Sequence, residues 1–197
     1  MDEKDRKAFH TAVAKLLFLS KRARPEILTA NGSLCTREAT VEDRKKLLRV
    51  LGFLKATKDR VVRLKPKNLK LRAYVDASFA PHPDSKSHTG VAIFIGGANV
   101  FSASRKQKCV TKSPTESELV ALMDNIGLIE LFAEFLAFIM NTPVESPTIY
   151  QDSTSVISLV TNGGGVVRTR HLRVRMNLCR EALQMGRIKI ANVPTLQ

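Results

Sequence analysis

The feature that most constrains this chain is a change of hydrophobic period near residue 71. The stretch RAYVDASF, 72–79, alternates: Ala73, Val75, Ala77 and Phe79 share one face, and Arg72, Tyr74, Asp76 and Ser78 share the other. Such alternation marks a half-buried strand. Two more strand-like runs follow at 90–95 (GVAIFI) and 98–104 (ANVFSAS), and Gly96-Gly97 between them suits a two-residue hairpin turn. The next apolar run, SPTESELVALMDNIGLIELFAEFLAFIM, is too long for a strand and apolar nearly all round. It reads as a buried helix. Ser113 stands as its N-cap, Pro114 at its first position and Glu116 as capping-box partner of the serine.

Beyond that helix the pattern predicts a strand at 148–152 (TIYQD) and a short helix stopping at Asn162 before Gly163-Gly164-Gly165. A basic helix from Thr169 to Met185 carries Leu172, Met176, Cys179 and Leu183 on one face, and RIKIANV, 187–193, closes as a strand. The triple glycine lacks a following Lys-Ser/Thr and follows a helix, so it reads as a connection and not a phosphate loop. From residue 71 the order is βββ-α-β-α-α-β, a mixed α/β (α+β) sheet. Upstream the chain reads as helical. Ala8 to Leu19 has helical spacing and ends before Arg24-Pro25. A second helix is expected over Val41 to Lys55, with Leu47, Leu48, Val50, Leu51 and Leu54 as its buried stripe. Helices of this size bury little alone, so a lean on other structure is expected.

Charge divides at the same place. Residues 1–70 hold 19 Lys and Arg against 8 Asp and Glu, whereas 71–197 hold 13 against 10, for a net +14 overall. The expected organisation is a helical segment, 1–66, and a sheet-bearing domain, 67–197. An excess this large favours a polyanionic partner, nucleic acid first. The first ten residues are charged, which argues against a cleavable leader. The longest apolar run is interrupted by Glu130 and Glu134, and no membrane is expected as a partner. Cys35, Cys109 and Cys179 lie far apart with no CxxC pattern, which suggests neither a zinc site nor a disulfide framework and fits a reducing compartment.

Three carboxylates stand where packing does not call for them. Asp76 interrupts the first strand, Glu118 lies in the first turns of the long helix, and Asp152 ends the fourth strand. Aspartate is depleted in strands. A hydrogen-bonded strand-end aspartate is one reading of Asp76. The other is a cluster: if the first and fourth strands are parallel neighbours, Asp76 and Asp152 lie side by side, and the helix brings Glu118 to them. Carboxylates so close repel and rise in pKa unless cations compensate. Hard divalent ions such as Mg²⁺ choose oxygen ligands, and two of them about 4 Å apart promote phosphodiester hydrolysis.

At these residues the chain resembles a known family. YVDASFA, DSKSHTG, RKQKCVTKSPTESELVAL, IYQDSTSVISL and RTRHLRVRMNLCREALQMGRIKI, in this order, are similar to the ribonuclease H domain of copia-type LTR retrotransposon Pol polyproteins. FHTAVAKLLFLSKRARPEI and LLRVLGFLKATKD resemble the segment that follows the polymerase core in the same polyproteins. The resemblance implies a ribonuclease H-like fold, a five-stranded mixed sheet flanked by helices, with a small N-terminal helical segment. It implies a piece of a reverse transcriptase/ribonuclease H that hydrolyses the RNA strand of RNA–DNA hybrids on two Mg²⁺ ions, with Mn²⁺ as substitute. Asp76, Glu118 and Asp152 match the catalytic metal ligands.

The implied partners are an RNA–DNA hybrid or other nucleic acid and the remainder of the Pol polyprotein. The implied location is intracellular, in cytoplasmic retrotransposon particles with entry to the nucleus. Two basic clusters, Arg105, Lys106 and Lys108, and Arg168, Arg170 and His171 with Arg173 and Arg175, read either as solvated faces or as phosphate contacts. His171 is open to a structural role as well.

The sequence also departs from the family. Arg173 and Pro114 replace an acidic or polar residue and a serine. No Asp or Glu follows Glu181, so the fourth metal ligand of the family, on a helix beyond the last strand, is not expected from this sequence. No two aspartates are adjacent, so no polymerase activity is expected. The alternative function is therefore an inactive remnant that binds nucleic acid without cleaving it.

Overall fold

The computed structural model describes residues 1–35, 39–162 and 170–193, with the side chains of Arg170 and His171 left aside. It divides into two compact units, Met1–Arg63 with Ser102–Arg105, and Leu64–Phe101 with Lys106–Gln197.

The first unit is helical: α1 (Glu3–Arg22), a 3-10 turn at Pro25–Ile27, α2 (Leu28–Cys35) and α3 (Val41–Ala56). Asp2 caps α1 by accepting from the Asp5 N–H, and Thr40 and Asp43 form a reciprocal capping box at α3. Phe9, Val13, Leu16, Ile27, Leu34, Ala39, Leu47 and Val50 make its core. The stripe on α3 is narrower than expected: Leu47 and Val50 are buried, whereas Leu48 is 59% exposed and Leu51 40%. Adjacent leucines point about 100° apart on a helix, so one packing surface does not take both. The sequence pattern also misses α2. Its Asn31 and Gly32 are poor helix formers, yet Leu28, Asn31 and Leu34 are buried and Asn31 Nδ2 donates to the Val13 carbonyl at 3.3 Å.

The second unit is built on a five-stranded sheet. Its strands are β1 (Leu71–Ser78), β2 (Lys86–Ile95), β3 (Ala98–Val110), β4 (Thr148–Gln151) and β5 (Lys189–Asn192). Their order is β3-β2-β1-β4-β5, with β1 antiparallel to β2, parallel to β4, and β4 parallel to β5. Gly96 and Gly97, both at positive φ, turn β2 into β3. A Cβ on Gly96 would meet the Asn68 carbonyl oxygen at 2.2 Å, so only glycine fits there. β2 and β3 run further than their apolar cores suggested, because ladder pairing carries the polar ends along; Ser78 sits opposite His88 and Ala77 opposite Thr89.

The sheet is flanked by α4 (Pro114–Met140), α5 (Thr154–Asn162) and α6 (Arg170–Gln184). One sheet face is apolar and closed: Leu71, Ala73, Val75, Val91, Ile93 and Ile149 are all buried. The opposite face carries Arg72, Tyr74 and Asp76, all exposed. This is the mixed, ribonuclease H-like sheet that the motif order implied. Ser113 caps α4, with its Oγ accepting from the Glu116 N–H at 3.2 Å. The reciprocal half differs from the expected capping box, since the Glu116 carboxylate accepts from Lys112 N–H and not from the serine's own.

The expectation that α4 is buried throughout holds only for its first half. Leu119 to Leu122, Ile126 and Ile129 are buried, but Leu131, Phe135 and Ile139 are largely exposed and Phe138 is 82% exposed. The second half keeps some support: Leu136 is buried, and Phe132 meets Phe101 of β3 with ring centroids 5.8 Å apart. On α6, Leu172, Met176, Cys179 and Ala182 are buried as one stripe. The Gly163–Gly165 segment lies outside the described residues.

Candidate metal centre

Each carboxylate reaches the site through a different element. Asp76 lies on the open face of β1, two residues beyond Tyr74, which pairs with Tyr150 of β4. Extending that parallel register by two places sets Asp76 beside Asp152, just past the end of β4. Period-two alternation puts both on the same face. Glu118 comes from the first turns of α4. That end of α4 is pinned by Gln107 of β3, whose buried Nε2 donates to Thr89 Oγ1 at 3.0 Å and to the Ser117 carbonyl at 2.9 Å.

Together these placements bring one carboxylate oxygen from each of Asp76, Glu118 and Asp152 within 4.8 Å of one another. The Glu118 carboxylate is held at both oxygens. Oε1 accepts from the Ala77 N–H at 3.1 Å, and Oε2 accepts from Gln151 Nε2 at 3.1 Å. Gln151 is buried, at 1% exposure, and sequence reasoning missed it. The signal was available: alternation in TIYQD puts residue 151 on the same face as Ile149, and a glutamine in a core position calls for a partner.

The electrostatics are those of like charges gathered at close range. Burial, and then the Asp76 charge, push Glu118 up from 4.5 to about 7. Asp76 is exposed as a residue, but desolvation of its carboxyl and then the Asp152 charge raise it too. Three hard oxygen donors whose repulsion a cation would relieve fit a divalent metal ion.

The other candidates are spread more widely. Arg105, Lys106 and Lys108 are exposed on β3. Strand alternation sends Lys106 and Lys108 to one face and Arg105 to the other. Lys106 Nζ pairs with Asp84 at 2.7 Å. Arg168 and the side chains of Arg170 and His171 lie outside the described residues. Arg175 pairs with Asp124 at 2.6 Å, and Arg187 reaches Glu130 at 3.5 Å, so these two α4 carboxylates serve as ion-pair residues. Among the described residues no helix is long and apolar enough to cross a membrane.

The site is thus an acidic cluster suited to a divalent ion at the ends of β1 and β4 of a five-stranded mixed sheet. The chain's sequence homologues are retrovirus-related Pol polyproteins of plant transposons. The chain is 29% identical over 151 residues to the Pol polyprotein from transposon RE2 of Arabidopsis thaliana, covering 76% of this chain and 10% of that protein. It is 27% identical over 190 residues to the one from transposon TNT 1-94 of Nicotiana tabacum, covering 95% of this chain and 14% of that protein. The chain thus spans between a tenth and a seventh of the length of these relatives. No family model matches.

Among solved structures, LC11-RNase H1 isolated from compost aligns with a TM-score of 0.49 and 15% identity, over 64% of this chain and 86% of that one. Prototype foamy virus protease-reverse transcriptase aligns with a TM-score of 0.47 and 17% identity, over 96% of this chain and 24% of that one.

Proposed function

We propose that this chain is the ribonuclease H portion of a copia-type retrotransposon reverse transcriptase and hydrolyses the RNA strand of RNA–DNA hybrids. The observation that carries the reading is the convergence of Asp76, Glu118 and Asp152 from three separate elements to within 4.8 Å. Those three would hold divalent ions, Mg²⁺ with Mn²⁺ as substitute. Bound there, the ions supply charge stabilisation for an in-line phosphodiester displacement and lower the pKa of water.

The chain's own part is to fix the ligands. β1 and β4 set Asp76 and Asp152 side by side, and Ala77 and Gln151 hold Glu118 from the same two strands. Lys106 and Lys108, exposed on one face of β3, are the proposed phosphate contacts there, and Arg105 on the other face is proposed as a separate one. Arg168, Arg170 and His171, whose side chains lie outside the described residues, are proposed as further phosphate contacts. The nucleic acid, the rest of the Pol polyprotein and an intracellular site of action belong to the same reading.

The test offers a labelled RNA–DNA hybrid to the purified protein with Mg²⁺ or Mn²⁺. RNA-strand cleavage that disappears in Asp76→Asn supports the proposal; absence of cleavage, or cleavage untouched by that substitution, sinks it. A second reading, hybrid or RNA binding without turnover, is favoured by the net charge of +14. It predicts salt-sensitive binding with no product, and it fails if the protein does not bind at low salt.

A further inference from the structure

We infer that Gln151 is a positioning residue for the carboxylate centre: its buried carboxamide locks Glu118 in the orientation in which it faces Asp76 and Asp152. The inference rests on the metal reading of that centre. Gln151 ends β4 on the closed face of the sheet, two residues after Ile149, which is fully buried. A core position there suits an aliphatic side chain, and a buried amide costs free energy unless both its ends are paired. Here both are. Oε1 accepts from the Asp152 N–H at 3.1 Å, and Nε2 donates to Glu118 Oε2 at 3.1 Å.

The amide orientation is fixed by chemistry. A backbone N–H only donates, so the group facing Asp152 must be the oxygen, which leaves the NH₂ facing Glu118. The second grip on Glu118 is the Ala77 N–H. The glutamate is therefore tied by the residue that follows Asp76 and by the residue that precedes Asp152. Its position is set relative to each aspartate by one covalent step along the backbone. Rotation of Glu118 away from the cluster would break a hydrogen bond to a fully buried donor.

Outer-shell partners of ligating carboxylates tune metal affinity by roughly ten- to a hundredfold. Gln151→Met keeps the volume and removes both the donor to Glu118 and the acceptor of the Asp152 N–H. Gln151→Leu is a second apolar variant in case methionine does not fold. Ile149→Val, on the same face of the same strand, reports what simple loss of packing does. Mn²⁺ affinity is measured by calorimetry at fixed pH, and thermal midpoints are measured in chelator.

The inference predicts that the Gln151 variants bind Mn²⁺ roughly tenfold or more weakly than wild type, and that Ile149→Val binds as wild type despite a lowered midpoint. It is overturned if the Gln151 variants bind as wild type, or if Ile149→Val weakens binding as much as they do. Wild-type protein that takes up no Mn²⁺ removes the metal reading itself, and the role of Gln151 with it.

Discussion

The second half of α4 is the more apolar of the two and yet the more exposed. From Pro114 to about Ile129 the helix lies over the sheet, and even its polar residues are used: Ser117 and Asn125 are buried, and Glu118 faces the two aspartates. From Leu131 on, the helix is no less apolar, yet Leu131, Phe135 and Phe138 face outward. Burial here follows what lies beneath a residue, not what the residue is. The first half has strands under it and a pinned N-terminus; in the second, Leu136 is buried and Phe132 meets Phe101 of β3, while the other large side chains face outward.

The sharpest way to break that contrast is truncation in each half. Leu122→Ala, at a fully buried position, is expected to cost roughly 2–5 kcal/mol in urea unfolding. A loss below about 1 kcal/mol would mean that the first half is not the core it looks to be.

The next effect is ionic. Glu118 has an ordinary value of 4.5 and a folded value of about 7. Between those pH values the folded state binds more protons than the unfolded one, so its contribution to stability falls as pH rises through the window. A cation on the cluster reverses this. Mg²⁺ at a hundred times its Kd is expected to add about 2.7 kcal/mol. Thermal melts at pH 5 and pH 8, with and without Mg²⁺, check both statements; a melting temperature indifferent to Mg²⁺ at pH 8 contradicts the second, and a contribution of Glu118, read against Glu118→Gln, that does not fall from pH 5 to pH 8 without Mg²⁺ contradicts the first.

Ser113→Ala removes the acceptor at the start of the same half and is expected to cost about 1 kcal/mol by the same unfolding measurement. The smallest effect belongs to the far end. Phe138→Ala removes a ring that is 82% exposed and should change stability by no more than about 0.5 kcal/mol. A larger loss would show that the second half has a partner after all.

Much of the fold was legible because it was written in periods. Alternation gave β1, the Gly96-Gly97 turn joined β2 to β3, and length alone separated α4 from a strand. Asp76, Glu118 and Asp152 were legible because a carboxylate in a strand, or one set at the start of an apolar helix, conflicts with local preference. What stayed hidden depended on partners distant in sequence. The α2 helix contains Asn31 and Gly32 and forms because Leu28 and Leu34 have a core to enter. The exposed end of α4 depends on what the fold places beside it. Gln151 sits in a strand of four residues; alternation puts it on the face of Ile149, but the partner it holds appears only when Glu118 arrives from α4 beside it.

The most direct test of the carboxylate centre is a crystal of the protein soaked in Mn²⁺ and measured at the manganese edge. Anomalous density among the Asp76, Glu118 and Asp152 oxygens, absent from an Asp76→Asn crystal treated alike, is the predicted result. No density there, or density unchanged by that substitution, would contradict the assignment of these three residues as a metal centre.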